Sequence, residues 1–161
     1  MSESMRLTIP PAWEELESVR EKSARFLRTY GVHEDVVTAV SMVVCELSEN
    51  ATKYGAFDGR DDAIEITVTV ARASVTVEVR NPVSTSASEW LGRLDRTIQW
   101  IRGFQDPFEA YLERLKEVSA QTLDSPESGL GLVRIAYEGQ SVLDFFVHEN
   151  NVLAVSAVHA I

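Results

Sequence analysis

The sequence is poor in cysteine, in basic residues and in long apolar runs, and each shortage excludes a class of protein. The single cysteine, Cys45, cannot form an internal disulfide, so we expect a reducing, cytoplasmic environment. Basic residues number 15 against 25 acidic ones, which gives a formal net charge of −10. That deficit argues against binding to nucleic acid or to an anionic membrane surface, since both depend mainly on Lys and Arg. No apolar run approaches about 18 residues, so we predict no membrane span.

What the chain does contain fits one ordinary globular unit. Apolar residues make up 45% of the sequence, and a length of 161 residues predicts a single domain over 1–161. There is no internal repeat and no low-complexity tract. The N-terminus lacks the charged-then-apolar pattern of a signal peptide, which again favours the cytoplasm. We interpret Cys45 as a packing residue rather than a nucleophile, because no base is evident beside it.

The most informative motif is ELSENATKYG at 46–55. On a helix, Glu46, Asn50 and Lys53 are spaced i, i+4 and i+7, so they lie on one face. A carboxylate, an amide oxygen and an ammonium in this order suit a magnesium nucleotide, because they can orient a hydroxyl, hold a hard cation and pair with a phosphate. A solvated polar face is the alternative. The opposite face is apolar at helical spacing and consists of Val36, Val40, Val43, Val44, Leu47 and Ala51.

A second motif, SGLGL at 128–132, precedes another helical pattern. Gly129 and Gly131 would let backbone N–H groups approach an anion at the start of that helix, where the helix dipole also favours negative charge. A Gly-x-Gly pair is weak evidence alone, because turn glycines are common. Its position after the Glu-x-x-x-Asn motif, in that order, makes the combination specific.

Together these motifs resemble the GHKL superfamily of gyrase-type and histidine-kinase-like ATPase domains, and most nearly its branch of small anti-sigma-factor serine kinases. Residues 46–55 resemble the N box of that superfamily, and residues 128–132 resemble its second glycine box. The opening LTIP at 7–10, followed by a helix, also looks like this branch. The resemblance covers essentially the whole chain and implies an ATP site with Mg²⁺.

The resemblance also implies a role for each motif residue. Glu46 would be the catalytic residue that orients or deprotonates the acceptor hydroxyl. Asn50 would hold Mg²⁺, and Lys53 with the backbone of Gly129 and Gly131 would contact the phosphates of ATP. The implied activity is that of a serine/threonine protein kinase.

The sequence departs from the family at the first glycine box. The family has Asp-x-Gly-x-Gly there, and its Asp accepts a hydrogen bond from the adenine amino group. Here the strand at 75–80 ends in Asn81-Pro82-Val83, so Asn81 takes the Asp position and both glycines are missing. An Asn carbonyl can still accept from an amino group, but without charge assistance. A pseudo-ATPase that does not bind nucleotide is therefore the alternative function.

The resemblance, together with helices and strands read from hydrophobic periodicity, implies a two-layer α/β sandwich, with a mixed, mostly antiparallel sheet covered on one face by helices. The predicted helices span about 12–29 and 34–53, and a third follows the second glycine box. The predicted strands lie at 6–9, 64–70 and 75–80, with a C-terminal hairpin over 142–158 that turns at 149–151.

An unusual helical insertion, at 84–126, replaces the mobile lid that small kinases of this branch carry. Two amphipathic helices are predicted there, at about 87–103 and 107–120, with Leu94 and Leu115 in their apolar stripes. Either the stripes are buried within the protein, or they form a docking face for a partner or a second copy. Exposure of Trp90 and Trp100 would favour the docking face.

Two functions from different classes follow. The first is a kinase that uses Mg-ATP to phosphorylate a STAS-domain anti-anti-sigma-like protein. The second is a binding module of the same fold that regulates by partner switching, with a STAS-like protein or a sigma factor as its partner, and with a homodimer also open. We expect a bacterial cytoplasmic signalling regulator that acts by protein binding, with or without catalysis.

Overall fold

This computed structural model describes residues 1–59, 62–120 and 130–161 of the chain. These residues contain five strands and five α-helices. They follow one another as β1 (Glu3–Ile9), α1 (Leu16–Thr29), α2 (Glu34–Tyr54), β2 (Ile64–Val70), β3 (Ser74–Pro82), α3 (Ser88–Arg102), α4 (Pro107–Ala120), α5 (Leu130–Tyr137), β4 (Ser141–His148) and β5 (Val152–Ala160). A short 3-10 turn, Trp13–Glu15, precedes α1.

The five strands form one open sheet in the order β1-β2-β3-β5-β4. Every pairing in the described part of the chain is antiparallel, whereas the sequence predicted a mixed, mostly antiparallel sheet. Both predicted hairpins form, β2 with β3 and β4 with β5. The helices α3, α4 and α5 lie between β3 and β4 in sequence, and in the sheet β5 lies between β3 and β4, so β4 is an edge strand. The predicted fold class is confirmed.

The core lies between one face of the sheet and the helices. Alternate residues of the strands point to that face and are buried, as in Ile64, Ile66 and Val68 of β2. The other face is open, and Val142 and Phe146 of β4 are 64% and 63% exposed there. Among the described residues, the helices are too short or too polar to cross a membrane.

Helix α2 is the rigid platform for the first motif. His33 caps its start by accepting a hydrogen bond from the Asp35 backbone N–H at 3.2 Å, and Glu34 and Asp35 place negative charge in the first turn. Its apolar face packs on α1 and on the sheet. The preceding helix, α1, ends at Thr29, and Gly31 just beyond its C-cap has a φ of +73°, the left-handed conformation that glycine adopts without strain.

The predicted helical insertion forms α3 and α4, close to the expected boundaries. Leu94, on α3, is 1% exposed, so the stripe of α3 is buried within the protein rather than offered to a partner. On α4, Leu115 is half-buried, whereas Phe108 and Leu112 are each 39% exposed. A charge at Leu94 would therefore test the stability of the core, and of the two insertion helices it is α4 whose described residues include large apolar side chains exposed to solvent.

Candidate functional site

A cleft of about 560 Å³ opens between α2, α3, α4 and the start of α5. This volume is in the range that protein pockets for small ligands occupy, roughly 300–1,000 Å³. Its described lining consists of Trp13, Glu46, Glu49, Asn50, Lys53, Tyr54, Trp90, Arg93, Arg96, Thr97, Trp100, Arg114, Glu117, Gly131 and Leu132.

Four of the six predicted site residues share this cleft. Glu46, Asn50 and Lys53 reach it from one face of α2, and Gly131 reaches it from the second position of α5. The first motif and Gly131 of the second, some 80 residues apart in sequence, thus meet around one cavity. Gly129 lies outside the described residues.

Asn81 lies apart from the main cleft, in a second cavity of only about 10 Å³. It is 3% exposed, and its Nδ2 donates to the carbonyl oxygen of Pro82 at 3.0 Å. Leu94 and Trp90 of α3 line this cavity together with Asn50 and Asn81. A space of this size holds at most about one water molecule, so it cannot admit an adenine ring.

The charge of the cleft is opposite to the charge of the chain. Four basic side chains, Lys53, Arg93, Arg96 and Arg114, and only three acidic ones line it, a formal net charge of +1 against −10 for the chain. Three of the basic residues belong to the α3–α4 insertion, whose apolar stripes were predicted to be buried or to dock a partner, and whose polar side chains were not predicted to line the cleft. Arg93 and Arg96 are three residues apart and so share one face of α3, and this spacing is the feature of the sequence that could have indicated a basic surface there.

Aromatic rings line the same walls. Tyr54 and Trp90 stack, with centroids 3.8 Å apart and planes inclined by 13°. The guanidinium of Arg93 lies 5.6 Å and 5.4 Å from these two rings, and that of Arg114 lies 5.1 Å from Trp100. Trp90 and Trp100 are half-buried in this arrangement, so they are not the exposed tryptophans that would have favoured a docking face.

The carboxylate of Glu46 is held by an arginine that sequence reasoning missed. Nη1 of Arg134, on α5, donates to Oε1 of Glu46 at 2.8 Å, and the Glu46 side chain is only 15% exposed. Burial raises the pKa of Glu46 and nearby Glu49 raises it further, whereas the positive charge of Arg134 opposes the rise. The result is a partly buried carboxyl with a perturbed pKa at a cleft wall, which is typical of functional sites.

Two other chemistries can be weighed from the described residues. Burial raises the pKa of the Cys45 thiol to about 11, so the thiol stays protonated near neutral pH and is a poor nucleophile.

The described residues contain no group of three His, Cys, Asp or Glu side chains able to hold a metal ion. Mg²⁺ nevertheless fits the site, because it commonly uses one or two protein oxygens plus phosphates and water, and Asn50 provides such an oxygen.

We expect Glu46→Gln to stabilise the protein more at pH 7 than at pH 4. The raised pKa means that the native state binds this proton more tightly than the unfolded state, so the stability it contributes is present at low pH and is lost as pH rises through the native pKa. The amide does not ionise and escapes that loss. Urea unfolding of both proteins at several pH values measures the difference, with Glu65→Gln, at an exposed position, as the control. A gap between Glu46→Gln and wild type that does not change with pH would contradict the prediction.

Comparison with known proteins agrees with this architecture. The sequence matches the family described as the histidine kinase-like ATPase domain over residues 9–137. The chain belongs to that family. A chain of the SiaB-SiaC complex from Pseudomonas aeruginosa, known from its crystal structure, has a similar fold, with a TM-score of 0.71 and 20% sequence identity over 96% of this chain and 88% of that chain. At that identity the likeness shows the fold alone. No curated protein matches the sequence.

Proposed function

We propose that this protein is a bacterial cytoplasmic signalling regulator of the anti-sigma, partner-switching type, which binds a partner protein and takes Mg-ATP in the cleft. The observation that carries the proposal is the convergence of Glu46, Asn50, Lys53 and Gly131 on one cavity large enough for a nucleotide. Membership of the histidine kinase-like ATPase family supports nucleotide as the ligand. The chain of similar fold comes from a complex of two proteins, SiaB and SiaC, and this supports a protein partner.

In this proposal the four motif residues of the cleft have separate tasks. Asn50 supplies an oxygen to Mg²⁺, and Lys53 with the α5 backbone at Gly131 contacts phosphate. Glu46 orients the Ser or Thr hydroxyl of a STAS-like partner and accepts its proton. Mg²⁺, when bound, neutralises charge that develops on the phosphates.

The alternative, a pseudo-ATPase interaction module, is supported by a different observation. The cavity beside Asn81, which Leu94 and Trp90 help to line, holds only about 10 Å³, so the position that the resemblance assigns to the adenine base is closed in this conformation. A protein that keeps this conformation permanently would regulate by partner binding alone.

An exposed aromatic patch on α4 and α5 is our candidate for the partner surface. Phe108, Leu112 and Tyr137 are 39%, 39% and 37% exposed, and the ring of Tyr137 lies 5.1 Å from that of Phe108. Aromatic residues are enriched in the cores of protein interfaces. The partner is a STAS-like protein, a sigma factor or a second copy of this chain.

Calorimetric titration of the wild-type protein separates the two functions. If the Mg-ATP proposal is right, ATP binds with micromolar to millimolar affinity in the presence of Mg²⁺ and more weakly in EDTA, because the metal joins the phosphates to Asn50. Millimolar affinity corresponds to about 4 kcal/mol. Absence of heat with both Mg-ATP and Mg-ADP at millimolar concentration would establish the pseudo-ATPase alternative.

A further inference from the structure

The proposed function requires Glu46 to present its carboxylate to an acceptor hydroxyl, and two residues of α5 fix where that carboxylate lies. The first is Arg134, whose Nη1 donates to Oε1 of Glu46 at 2.8 Å. This bond joins α2 to α5 between residues 88 positions apart in sequence. It is a charge-assisted bond to a side chain that is 15% exposed, and such bonds are stronger than neutral ones.

The second is Gly131, which lies against the other carboxylate oxygen. A Cβ atom at Gly131 would come within 2.5 Å of Oε2 of Glu46, and real Cβ contacts essentially never fall below 3.0 Å. Only glycine therefore lets the carboxylate lie this close to the backbone of α5. The second glycine of the motif thus makes room for Glu46, a task distinct from contacting phosphate.

Arg134 is itself oriented by a second carboxylate. Its Nε donates to Oε2 of Glu138 at 3.0 Å, and Glu138 is the residue that directly follows the end of α5. Because the guanidinium is planar, two partners on different nitrogens fix both its position and its plane. Through the hydrogen bonds from Arg134 to Glu138 and to Glu46, the position of α5 therefore determines where the Glu46 carboxylate lies at the cleft wall.

We infer that Arg134 is a positioning residue for Glu46 and that Gly131 provides the space in which Glu46 is held. This inference rests on the proposed function, since it gives Arg134 a role in the reaction assigned to Glu46. It predicts that Arg134 matters to turnover and not to nucleotide affinity, because its described contacts are to Glu46 and Glu138.

The test uses Arg134→Met, with Arg134→Lys as the conservative variant and Arg102→Met as the matched control. Arg102 is also an arginine that ties two elements together, since it donates to the Leu143 carbonyl, and its side chain is 43% exposed against 37% for Arg134. Two measurements are made on the full chain. One is the side-chain carboxyl ¹³C resonance of Glu46. The other is slow Mg-ATP hydrolysis, in which water replaces the acceptor hydroxyl, together with the Mg-ATP dissociation constant.

We expect Arg134→Met to move the Glu46 resonance and to lower kcat by at least about tenfold, below the ~10²–10⁴-fold that a general base contributes as a whole. The Mg-ATP dissociation constant should stay unchanged, Arg134→Lys should recover part of kcat, and Arg102→Met should leave the resonance in place.

Three results overturn the inference. The Glu46 resonance could move equally in both methionine variants, or kcat could stay at the wild-type value in Arg134→Met while wild type turns over. A wild-type protein with no Mg-ATP binding and no turnover would overturn the proposed function as well, so the two failures are distinguishable.

Discussion

Asn50→Ala should abolish the Mg²⁺-dependent part of ATP affinity while leaving the fold intact. The expected loss is at least about 100-fold, because even outer-shell partners of a metal are worth about 10–100-fold and Asn50 is proposed as a direct ligand. Asn50 is half-buried on α2, where it lines the cleft and also the small cavity beside Asn81. Truncation to alanine also suits a helix interior, since alanine has the highest helix propensity. Titration with Mg-ATP and with ATP in EDTA measures the effect directly.

The matched control is Asn150→Ala, in the exposed turn between β4 and β5. It removes the same amide from the same chain, far in sequence from every cleft residue, and should leave both affinities unchanged. Circular dichroism and thermal unfolding of Asn50→Ala check that α2 is intact. Should Asn50→Ala bind Mg-ATP as tightly as wild type, Asn50 is not the ligand of the metal, whatever else binds in the cleft.

The platform of the site can be predicted from sequence because its determinants are local. The apolar stripe and the acidic first turn predict a helix over 34–53, and α2 is Glu34–Tyr54. Spacing on that helix then fixes which side chains share a face. Glu46, Asn50 and Lys53 needed no tertiary information to be placed together. The hairpins follow for the same reason, since alternation within β2 and β3 is a property of each strand alone.

Contacts between segments distant in sequence were not predicted. The pair Glu46–Arg134 joins α2 to α5, and no local pattern marks Arg134 among the other arginines. Arg93 and Arg114 reach the cleft only because the α3–α4 insertion folds over it. The sequence showed that the insertion is amphipathic, but its apolar and polar faces had to be placed against neighbours before the polar face could be recognised as cleft lining.

The closure of the cavity beside Asn81 is another result of tertiary packing. The missing glycines and the Asn at position 81 are visible in the sequence, and they raised doubt about the base. The structure gives a different reason to doubt that the adenine base binds beside Asn81. Leu94 of α3 enters the space between α2 and the sheet, where it contributes to the core at 1% exposure. The residues that close the cavity thus belong to the insertion, since Trp90 and Leu94 of α3 both line it.

We therefore expect Leu94→Ala to increase Mg-ATP affinity even though it destabilises the protein. Removing three carbons of a fully buried leucine typically costs about 2–5 kcal/mol of stability, part of it from the cavity that is left. That cavity would extend the space of about 10 Å³ beside Asn81, where the resemblance places the adenine ring. A gain of about tenfold in affinity, equivalent to about 1.4 kcal/mol, is expected, provided that the base enters this space.

The matched control is Ile98→Ala, one turn further along α3. Ile98 is 2% exposed, so its truncation should cost a similar amount of stability, but its side chain does not line the cavity beside Asn81. A gain in affinity that is confined to Leu94→Ala would show that Leu94 competes with the base for one space. Equal gains in both variants would mean that loosening α3 is enough to raise the affinity, and that the α3–α4 insertion opens as a unit. With no gain in either variant, the base does not bind beside Asn81, and nucleotide recognition would have to rest on the arginine- and tryptophan-lined cleft alone.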